Sequence, residues 1–240
     1  MTHKLVDFHA HILPGVDHGS DSMATSHAQL AMARAAGVDR IIATSHFYPH
    51  VHSLDDFIER RNDAYLALHH TFRQLDFTPP DIRLGAEVLL CEGLEELPAL
   101  SRLAVFGTKT ILIELPFNDF IYEYAETVGA LIDKGYDVVL AHADRYPVDN
   151  IEAVLQFGAK IQLNAAALAR TFMSRSVRSW LSRGLVYAIG SDIHMTDKTA
   201  YRQYSRAVSK LGAYLTKICD YTNAVFDSAI DIYEELHRNA

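Results

Sequence analysis

The sequence predicts an α/β fold, a distorted parallel (β/α)7 TIM-like barrel formed as a single domain over residues 1–240. Seven short apolar runs rich in Val, Ile and Leu recur along the chain, and each is followed by polar residues and a segment with helical spacing. Runs without polar alternation are typical of strands buried on both faces of a parallel sheet. A length of 240 residues suits one α/β barrel, and no linker rich in Pro, Gly or Ser divides the chain.

The seven predicted strands are all three or four residues long. They cover residues 5–8, 40–43, 82–84, 110–113, 137–140, 160–163 and 186–189. The spacing of apolar residues predicts helices at 20–36, 54–72, 121–132, 151–155, 174–182 and 200–211, and a helical tail from Tyr221. Gly37, Gly135 and Gly158 follow three of these helices, at the place where a left-handed residue commonly ends a helix.

Composition and charge exclude several classes of protein. Hydrophobic residues make up 49% and charged residues 22% of the chain, as in an ordinary globular protein. No apolar stretch approaches the ~18 residues of a membrane span, and Asp7, His9 and His11 interrupt the start of the chain too early for a signal peptide. The net charge of −8 without a Lys/Arg run makes nucleic acid an unexpected partner. Cys91 and Cys219 fit a reducing compartment, so we expect a cytoplasmic protein.

Metal-type side chains follow six of the seven predicted strands. In chain order they are His9 with His11, His46, Glu87, Glu114, His142, and Asp192 with His194, whereas the sixth strand ends at Asn164 without an obvious ligand. The carboxyl ends of barrel strands converge on one face, where such enzymes carry their active sites. Residues two positions apart in a strand point to the same side, so the H-x-H and D-x-H pairs can each reach one ion.

The mixture of imidazole and carboxylate suits a divalent ion such as Mn, Fe or Zn, and the absence of thiolates argues against a structural zinc site. Taken alone, each residue also has an ordinary structural role: a strand-end glutamate often forms a salt bridge, and an isolated H-x-H pair often binds nothing. Six strand ends that each present a metal-type side chain predict a metal centre.

These motifs resemble those of a known family. H-x-H at residues 9–11, TSH at 44–46, GAE at 85–87, I-E-x-P-F at 113–117, AH-x-x-R-Y at 141–146 and SD-x-H at 191–194 occur in the order found in the PHP (polymerase and histidinol phosphatase) superfamily. More narrowly, the chain resembles the CpsB-type metal-dependent tyrosine phosphatases of bacterial capsule and exopolysaccharide loci. The similarity runs from Leu5 to the C-terminal helix.

The resemblance implies a phosphoesterase that hydrolyses phosphotyrosine in proteins, with a bacterial tyrosine kinase of capsule or exopolysaccharide biosynthesis as its expected substrate. It implies three divalent ions, with Mn expected and Fe, Zn or Mg as alternatives, and Glu87 bridging two of them. The ligands carried over by position are His9, His11, His46, Glu87, Glu114, His142, Asp192 and His194. Arg145 matches an arginine on the phosphate side of the site.

Two positions depart from the family pattern. The family commonly has Asp-Asp-Gly after the first strand, whereas this chain has Asp17-His18-Gly19. We expect His18 to be the metal ligand there, with Asp17 as the alternative. A later basic residue of the family has no clear counterpart after His194, and Lys198 and Arg202 are the candidates.

The implied mechanism follows from charge. Three divalent ions facing three carboxylates leave a net positive site, which suits a phosphate dianion, and a metal lowers the pKa of bound water from about 15.7 to about 7. The resulting hydroxide would attack phosphorus in line while Arg145 holds the equatorial oxygens. Phe47, Tyr48 and Phe117 could pack on the tyrosyl ring, or could simply pack at the rim.

Other functions remain open on the residues alone. A small-molecule phosphatase such as histidinol-phosphate phosphatase, or a catalytically idle PHP module that binds a partner, would share most of these motifs. A metal-dependent amidohydrolase also begins with H-x-H, but Glu114 stands where its metal-bridging lysine is usual. A thiol-based phosphatase is excluded, since neither cysteine begins a C-x5-R loop.

Overall fold

Parallel strands form the wall of a barrel in the computed structural model, which describes residues 4–117 and 120–238, so both ends of the predicted 1–240 domain lie outside the described residues. The strands are β1 (Val6–Ala10), β2 (Arg40–Ala43), β3 (His46–Phe47), β4 (Asp81–Leu84), β5 (Glu87–Leu89), β6 (Thr110–Glu114), β7 (Asp137–Leu140), β8 (Lys160–Asn164) and β9 (Val186–Gly190). One sheet has the order β1-β2-β4 and the other β3-β5-β6-β7-β8-β9, and every pairing is parallel.

The wall is divided into two sheets because two strands break. After β2 the chain resumes as β3, and after β4 it resumes as β5, so that each predicted strand continues into the second sheet. All seven predicted strands are present, but β3 and β5 were not predicted because runs of two and three residues carry no periodicity. The breaks put His46 and Glu87 at the start of the second sheet, where they are direct partners.

The barrel closes between β1 and the residues after β9. Asp192 N donates to the His9 carbonyl oxygen at 2.8 Å, and His11 N donates to that of Ile193 at 3.3 Å. The buried carboxylate of Asp7 accepts a third bond from Ser191 N at 2.8 Å. The first and last strands are therefore joined through the segments that carry the H-x-H and D-x-H motifs.

Helices cover the outside of the barrel. They are α1 (Met23–Ala35), α2 (Leu54–His70), α3 (Tyr122–Asp133), α4 (Val148–Leu155), α5 (Ala165–Ala169), α6 (Arg175–Ser182), α7 (Ala200–Leu211), α8 (Tyr214–Ser228) and α9 (Ile232–Arg238). The short α5 was not predicted, and the helix predicted from Tyr221 begins seven residues earlier. Gly37, Gly135 and Gly158 have φ values of +84°, +86° and +97°, which confirms their predicted left-handed conformation.

Helix α8 closes the amino end of the barrel. Val225 and Phe226 from α8 belong to a buried apolar cluster with strand residues that include Phe8 and Leu112. A larger cluster fills the layer between the sheets and the other helices. The carboxyl end, with its polar residues, is the end left open to a ligand. Among the residues that the structure describes, no helix combines the length and apolarity that a bilayer span requires.

Candidate metal centre

One carboxylate lies at the middle of the residues that the sequence predicted as ligands. Glu87 Oε2 is 3.1 Å from His9 Nε2, 3.2 Å from His11 Nε2 and 3.0 Å from His46 Nδ1. Its second oxygen, Oε1, is 2.7 Å from His142 Nε2. Four imidazoles supplied by three segments of the barrel thus surround Glu87, and all five side chains are buried.

The predicted ligands form three groups of converging donor atoms, two of which include a further carboxylate, Asp192 or Glu114. In each group the nitrogen and oxygen atoms lie within 4.8 Å of one another, and the groups are His11–His46–His194, His9–His11–Asp192 and His46–Glu87–Glu114. His142 approaches the third group, with Nε2 3.8 Å from Glu114 Oε1. Shared members such as His11 and His46 join the three groups into one cluster.

Several atoms in this cluster are buried without a hydrogen-bond partner in the described part of the chain. They are Nε2 of His46, Nε2 of His194 and Nδ1 of His142. Leaving a buried polar atom unpaired costs roughly 1–3 kcal/mol, so a cluster of such atoms needs a partner from outside the chain. Imidazole nitrogens and carboxylate oxygens are what Mn, Fe and Zn ions bind, and a bound cation would therefore fit this donor set.

The carboxylates of the cluster generate a strongly negative field. Burial and the neighbouring charge of Glu87 raise the pKa of Glu114 to about 7. Burial lowers the pKa of His11, but hydrogen bonds to Asp17 and Glu87 outweigh it and raise the value to about 10. A field that holds a proton on an imidazole also attracts a metal ion, since the two cations compete for the same nitrogen.

Two other imidazoles remain neutral and available. Burial and the charge of His11 lower the pKa of His46 to about 3, and the same two causes lower that of His194 to about 4. Burial opposes ionisation of Asp192, but the charges of His9, His11 and Arg145 lower its pKa to about 2. At neutral pH His46 and His194 therefore offer neutral imidazole nitrogen and Asp192 offers an ionised carboxylate, the forms that bind metal.

A second layer of polar side chains fixes the orientation of the histidines. Asp17 Oδ2 lies 2.8 Å from His11 Nδ1, and Gln162 Oε1 lies 3.2 Å from His9 Nδ1. Asn164 Nδ2 donates to Asp192 Oδ2 at 3.0 Å. Such partners set the tautomer and ring position of metal-binding histidines. No role was predicted for Gln162 or Asn164, although two amides at i and i+2 on a buried strand were a signal for them.

Two glycines allow the backbone to approach the H-x-H pair. A Cβ at Gly19 would lie 2.0 Å from the Cβ of His11, and one at Gly190 would lie 2.5 Å from the Cβ of His9. Both distances are shorter than any real contact between these atoms, so a side chain at either position would displace a histidine. The loop from residue 14 to 20 folds back over the cluster, as its two glycines predicted.

Backbone strain is concentrated at the same place. His142, Asp192 and Met195 have positive φ angles of 31°, 52° and 50°, and among the described non-glycine residues only Ala99 joins them. Such conformations cost of order 1–3 kcal/mol each and persist where the surrounding structure enforces them. Here the strained residues include two predicted ligands.

Arg145 and two aromatic rings lie around the cluster. Arg145, in a single 3₁₀ turn at Ala143–Arg145, forms an ion pair with Asp192 while almost half of its side chain stays exposed. Tyr48 stacks on His46 with ring centroids 5.3 Å apart, and Phe117, 53% exposed, lies 6.1 Å from His142. Phe47 does not belong to this group: it is 1% exposed and packs edge-on against Phe57, so the suggestion that it contacts a substrate was wrong.

The first loop places its two candidate ligands differently. The Asp17 carboxylate already has partners within the chain. Its Oδ2 contacts His11 Nδ1 and accepts a hydrogen bond from the backbone N–H of His46 at 2.9 Å. His18 is exposed and stacks between His46 and His194, with ring centroids 4.7 and 4.6 Å away. None of the three described donor groups includes either residue. The assignment of His18 as a ligand therefore stays a prediction.

Comparison with known proteins places this arrangement in context. The profile of the family described as "Capsular polysaccharide synthesis, CpsB/CapC" matches residues 5–220. The tyrosine-protein phosphatase YwqE of Bacillus subtilis is 31% identical over 204 residues, which cover 79% of this chain and 77% of YwqE. The tyrosine-protein phosphatase CpsB of Streptococcus pneumoniae is 25% identical over 232 residues, covering 89% of this chain and 93% of that protein.

The fold also matches a solved structure. A chain from the crystal structures of YwqE from Bacillus subtilis and CpsB from Streptococcus pneumoniae, described as unique metal-dependent tyrosine phosphatases, superimposes with a TM-score of 0.72 at 23% identity. The match covers 89% of this chain and 94% of the other. It confirms the predicted α/β barrel class.

Proposed function

Because the chain belongs to the CpsB/CapC family of capsular polysaccharide synthesis, we propose that it is a metal-dependent protein-tyrosine phosphatase that hydrolyses phosphotyrosine at the carboxyl end of the barrel. One observation supports the proposal above the others: Glu87 contacts four buried imidazoles, and their cluster retains unpaired ring nitrogens. A cluster built this way is suited to hold cations and, through them, an anionic substrate.

The proposed centre holds three divalent ions, with Mn²⁺ first and Fe, Zn or Mg as alternatives. The proposed ligands are His9, His11, His18, His46, Glu87, Glu114, His142, Asp192 and His194. Bound ions of this kind supply activated water at neutral pH and neutralise charge on phosphoryl oxygens. Three such ions exceed the charge of the three carboxylates, so the site would attract a phosphate dianion.

Arg145 is the proposed phosphate-binding residue. Its guanidinium lies beside Asp192 and remains partly exposed, so it can exchange the carboxylate for a phosphoryl group that enters the site. A guanidinium donates several hydrogen bonds in a fixed plane, which suits a tetrahedral oxyanion. Donation to the equatorial oxygens would stabilise the charge that develops during phosphoryl transfer.

Tyr48 and Phe117 are the proposed contacts for the leaving group. Each stacks on a proposed ligand and keeps part of its ring exposed, so a phenyl ring carried by the phosphate would meet an aromatic surface. A tyrosyl leaving group has a pKa near 10 and needs less protonation than an alkoxide. The chemistry of the rim thus favours an aryl phosphate over histidinol phosphate.

The experiment compares substrates and metals on one preparation. We expect hydrolysis of p-nitrophenyl phosphate and of a phosphotyrosine peptide, abolished by a chelator and restored by Mn²⁺. Replacement of both Cys91 and Cys219 by Ser should leave the rate unchanged, because both thiols are buried and neither belongs to the cluster. Faster turnover of histidinol phosphate than of the peptide would identify a small-molecule phosphatase, and no turnover with a full metal complement would identify a binding module.

The physiological partner follows from the family. We propose a bacterial tyrosine kinase of capsule or exopolysaccharide biosynthesis as the phosphoprotein substrate, with the reaction in the cytoplasm. The buried, reduced state of the two cysteines supports that compartment. Dephosphorylation of such a kinase by the purified protein, followed with an anti-phosphotyrosine antibody, tests the assignment.

A further inference from the structure

Positive charge is distributed unevenly along this acidic chain. Residues 153–219 contain ten of the 22 Lys and Arg but only two of the 30 Asp and Glu, and one of those two is Asp192 of the metal cluster. This segment carries a formal charge of +8, whereas the remaining residues carry −16. A separation of this size produces a positive field over α5, α6 and α7, and such a field attracts anionic partners.

Part of this segment encloses a groove, which we call the basic groove. It is a cavity of about 630 Å³ lined by residues of α6, α7 and the beginning of α8. Arg175, Arg178 and Lys210 supply its charge, and Met173, Leu181 and Tyr214 supply apolar surface between the charges. A groove of this kind offers both ion pairing and apolar contact to a ligand.

The cations of the basic groove are held in place without being neutralised. No salt bridge found among the described residues involves Arg175, Arg178 or Lys210. Arg178 Nη1 donates to the Met173 carbonyl oxygen at 2.7 Å, and Lys210 Nζ donates to that of Ala169 at 3.1 Å. By contrast, Arg183 at the end of α6 pairs with Glu152 at 2.6 Å. Carbonyl partners orient a side chain but leave its full charge available to a carboxylate.

Helix α5 connects the metal cluster to the basic groove. Helix α5 begins directly after Asn164, which donates to Asp192, and its five residues advance the chain by about 7–8 Å. Lys210 contacts the end of α5, so one wall of the groove is fixed to that helix. An extended peptide covers roughly 3.3 Å per residue, so at least about three residues are needed to match the advance along α5, and the test below covers three to six.

We propose that the basic groove binds an acidic segment of the phosphoprotein substrate, several residues away from the phosphotyrosine that enters the metal cluster. The inference rests on the proposed phosphatase function and adds to it a preference for acidic sequence. A concave surface with apolar patches between its cations suits the side chains of a peptide, whereas a bilayer presents a flat array of headgroups.

The test uses two phosphotyrosine peptides that differ only in the residues three to six positions from the phosphotyrosine on each side, Asp and Glu in one, Asn and Gln in the other. In the full-length variant Arg175→Glu/Arg178→Glu, we expect KM for the acidic peptide to rise about tenfold at low ionic strength, with kcat unchanged. KM for the neutral peptide and turnover of p-nitrophenyl phosphate should stay at wild-type values. The difference should vanish near 1 M salt, where screening acts within about 3 Å.

A matched control reverses two charges elsewhere. Arg73 and Lys109 are exposed and lie at the amino end of the barrel, so Arg73→Glu/Lys109→Glu should leave both peptides unaffected. An equal rise in KM for both peptides in the groove variant, or an equal rise in the control variant, would overturn the proposal.

A binding experiment separates this inference from the phosphatase function. The acidic peptide without phosphate should bind the wild-type protein, measured by fluorescence anisotropy, and should bind the groove variant at least about tenfold more weakly. That result supports the groove even if the protein shows no phosphatase activity, and equal binding overturns it without affecting the phosphatase proposal. Equal competition by a single-stranded oligonucleotide or by phosphatidylglycerol vesicles would overturn the assignment to a peptide.

Discussion

The two ends of the barrel use buried and half-buried polar side chains in opposite ways. At the amino end the charges pair within the chain: Asp137 accepts from Tyr221 at 2.7 Å and forms an ion pair with Lys160. At the carboxyl end the imidazoles of the metal cluster leave several ring nitrogens without partners. The contrast indicates that the first set stabilises the fold by itself, whereas the second is completed by a ligand from outside.

At the amino end the chain pairs its charges with its own carboxylates and aromatic rings. Arg83 pairs with Asp231 at 2.8 Å, and the same carboxylate accepts from Tyr65 at 3.1 Å. The guanidinium groups of Arg83 and Arg40 lie 4.7 and 4.6 Å from the ring centroid of Phe226 on α8. Each of these two guanidinium groups has a carboxylate and an aromatic face as partners, although its buried Nε has no hydrogen-bond partner in the described part of the chain.

The largest effect should come from the centre of the cluster. Glu87→Gln removes the carboxylate that faces four imidazoles, and a neutral amide cannot offset bound cations. We expect turnover of p-nitrophenyl phosphate to fall by more than about 10³-fold, together with loss of metal measured by elemental analysis. Glu126→Gln, at an exposed position on α3, is the control and should retain both. Full metal content and activity in the Glu87 variant would contradict the proposal that the carboxyl end of the barrel binds the metal ions through Glu87.

Arg145→Ala tests a residue that faces the substrate rather than the ions. The loss of one charge-assisted contact in the transition state should lower kcat by about 10²–10³-fold while the metal content stays unchanged. Arg145→Lys retains the charge but not the planar pair of donors, and should recover only part of the rate. If the rates of both variants stay within a few fold of wild type, Arg145 does not bind the phosphate and serves only as an ion-pair partner of Asp192.

Substitutions in the loop after β1, at Asp17 and His18, should change metal binding by a smaller amount. Asp17→Asn keeps the shape of the side chain but weakens its bond to His11 Nδ1, so we expect metal affinity to fall about 10–100-fold. If His18 is a ligand, His18→Ala should lose one ion from the complement measured by elemental analysis. A full complement in His18→Ala with one ion missing from Asp17→Ala would transfer the assignment to Asp17.

The amino end should respond in stability alone. Asp231→Asn breaks an ion pair whose side chains are 19% and 15% exposed, and should lower the free energy of unfolding by about 1–3 kcal/mol in urea titration. Asp227→Asn, which removes the 63% exposed partner of Arg40, should cost less than about 1 kcal/mol. Neither should change kcat. A loss of activity with unchanged stability in either variant would show that the amino end also contributes to catalysis, which would contradict the contrast between the two ends.

Much of this contrast was predictable from the sequence. Strand ends that carry His9, His46, Glu87 and His142 indicated one polar face, and the structure brings these side chains within contact of one another. The spacing of apolar residues, together with the glycines that follow helices, was enough to predict the sequence order of the strands and helices, because each element buries one continuous face.

The rest depends on contacts between distant segments. The breaks that create β3 and β5 are short and aperiodic, so nothing local marks them. Gln162 Oε1 contacts His9 Nδ1 although the two residues are 153 positions apart in the sequence. The residues around a strand amide do not indicate which imidazole that amide will orient. Phe47 stands next to a proposed ligand in the chain but points into the core, because successive strand residues face opposite sides.

The closure of the barrel between β1 and the segment after β9 has a consequence for biosynthesis. A ribosome releases His9 and His11 more than 180 residues before Asp192 and His194, a delay of roughly ten to forty seconds at about 5–20 residues per second. The hydrogen bonds that join these segments cannot form earlier, so a nascent chain lacks the assembled donor set. Bound metal then adds stability only to molecules whose last strand has docked beside the first. In a cell, ion supply would set how many finished chains survive proteolysis, and truncated chains would gain nothing from it.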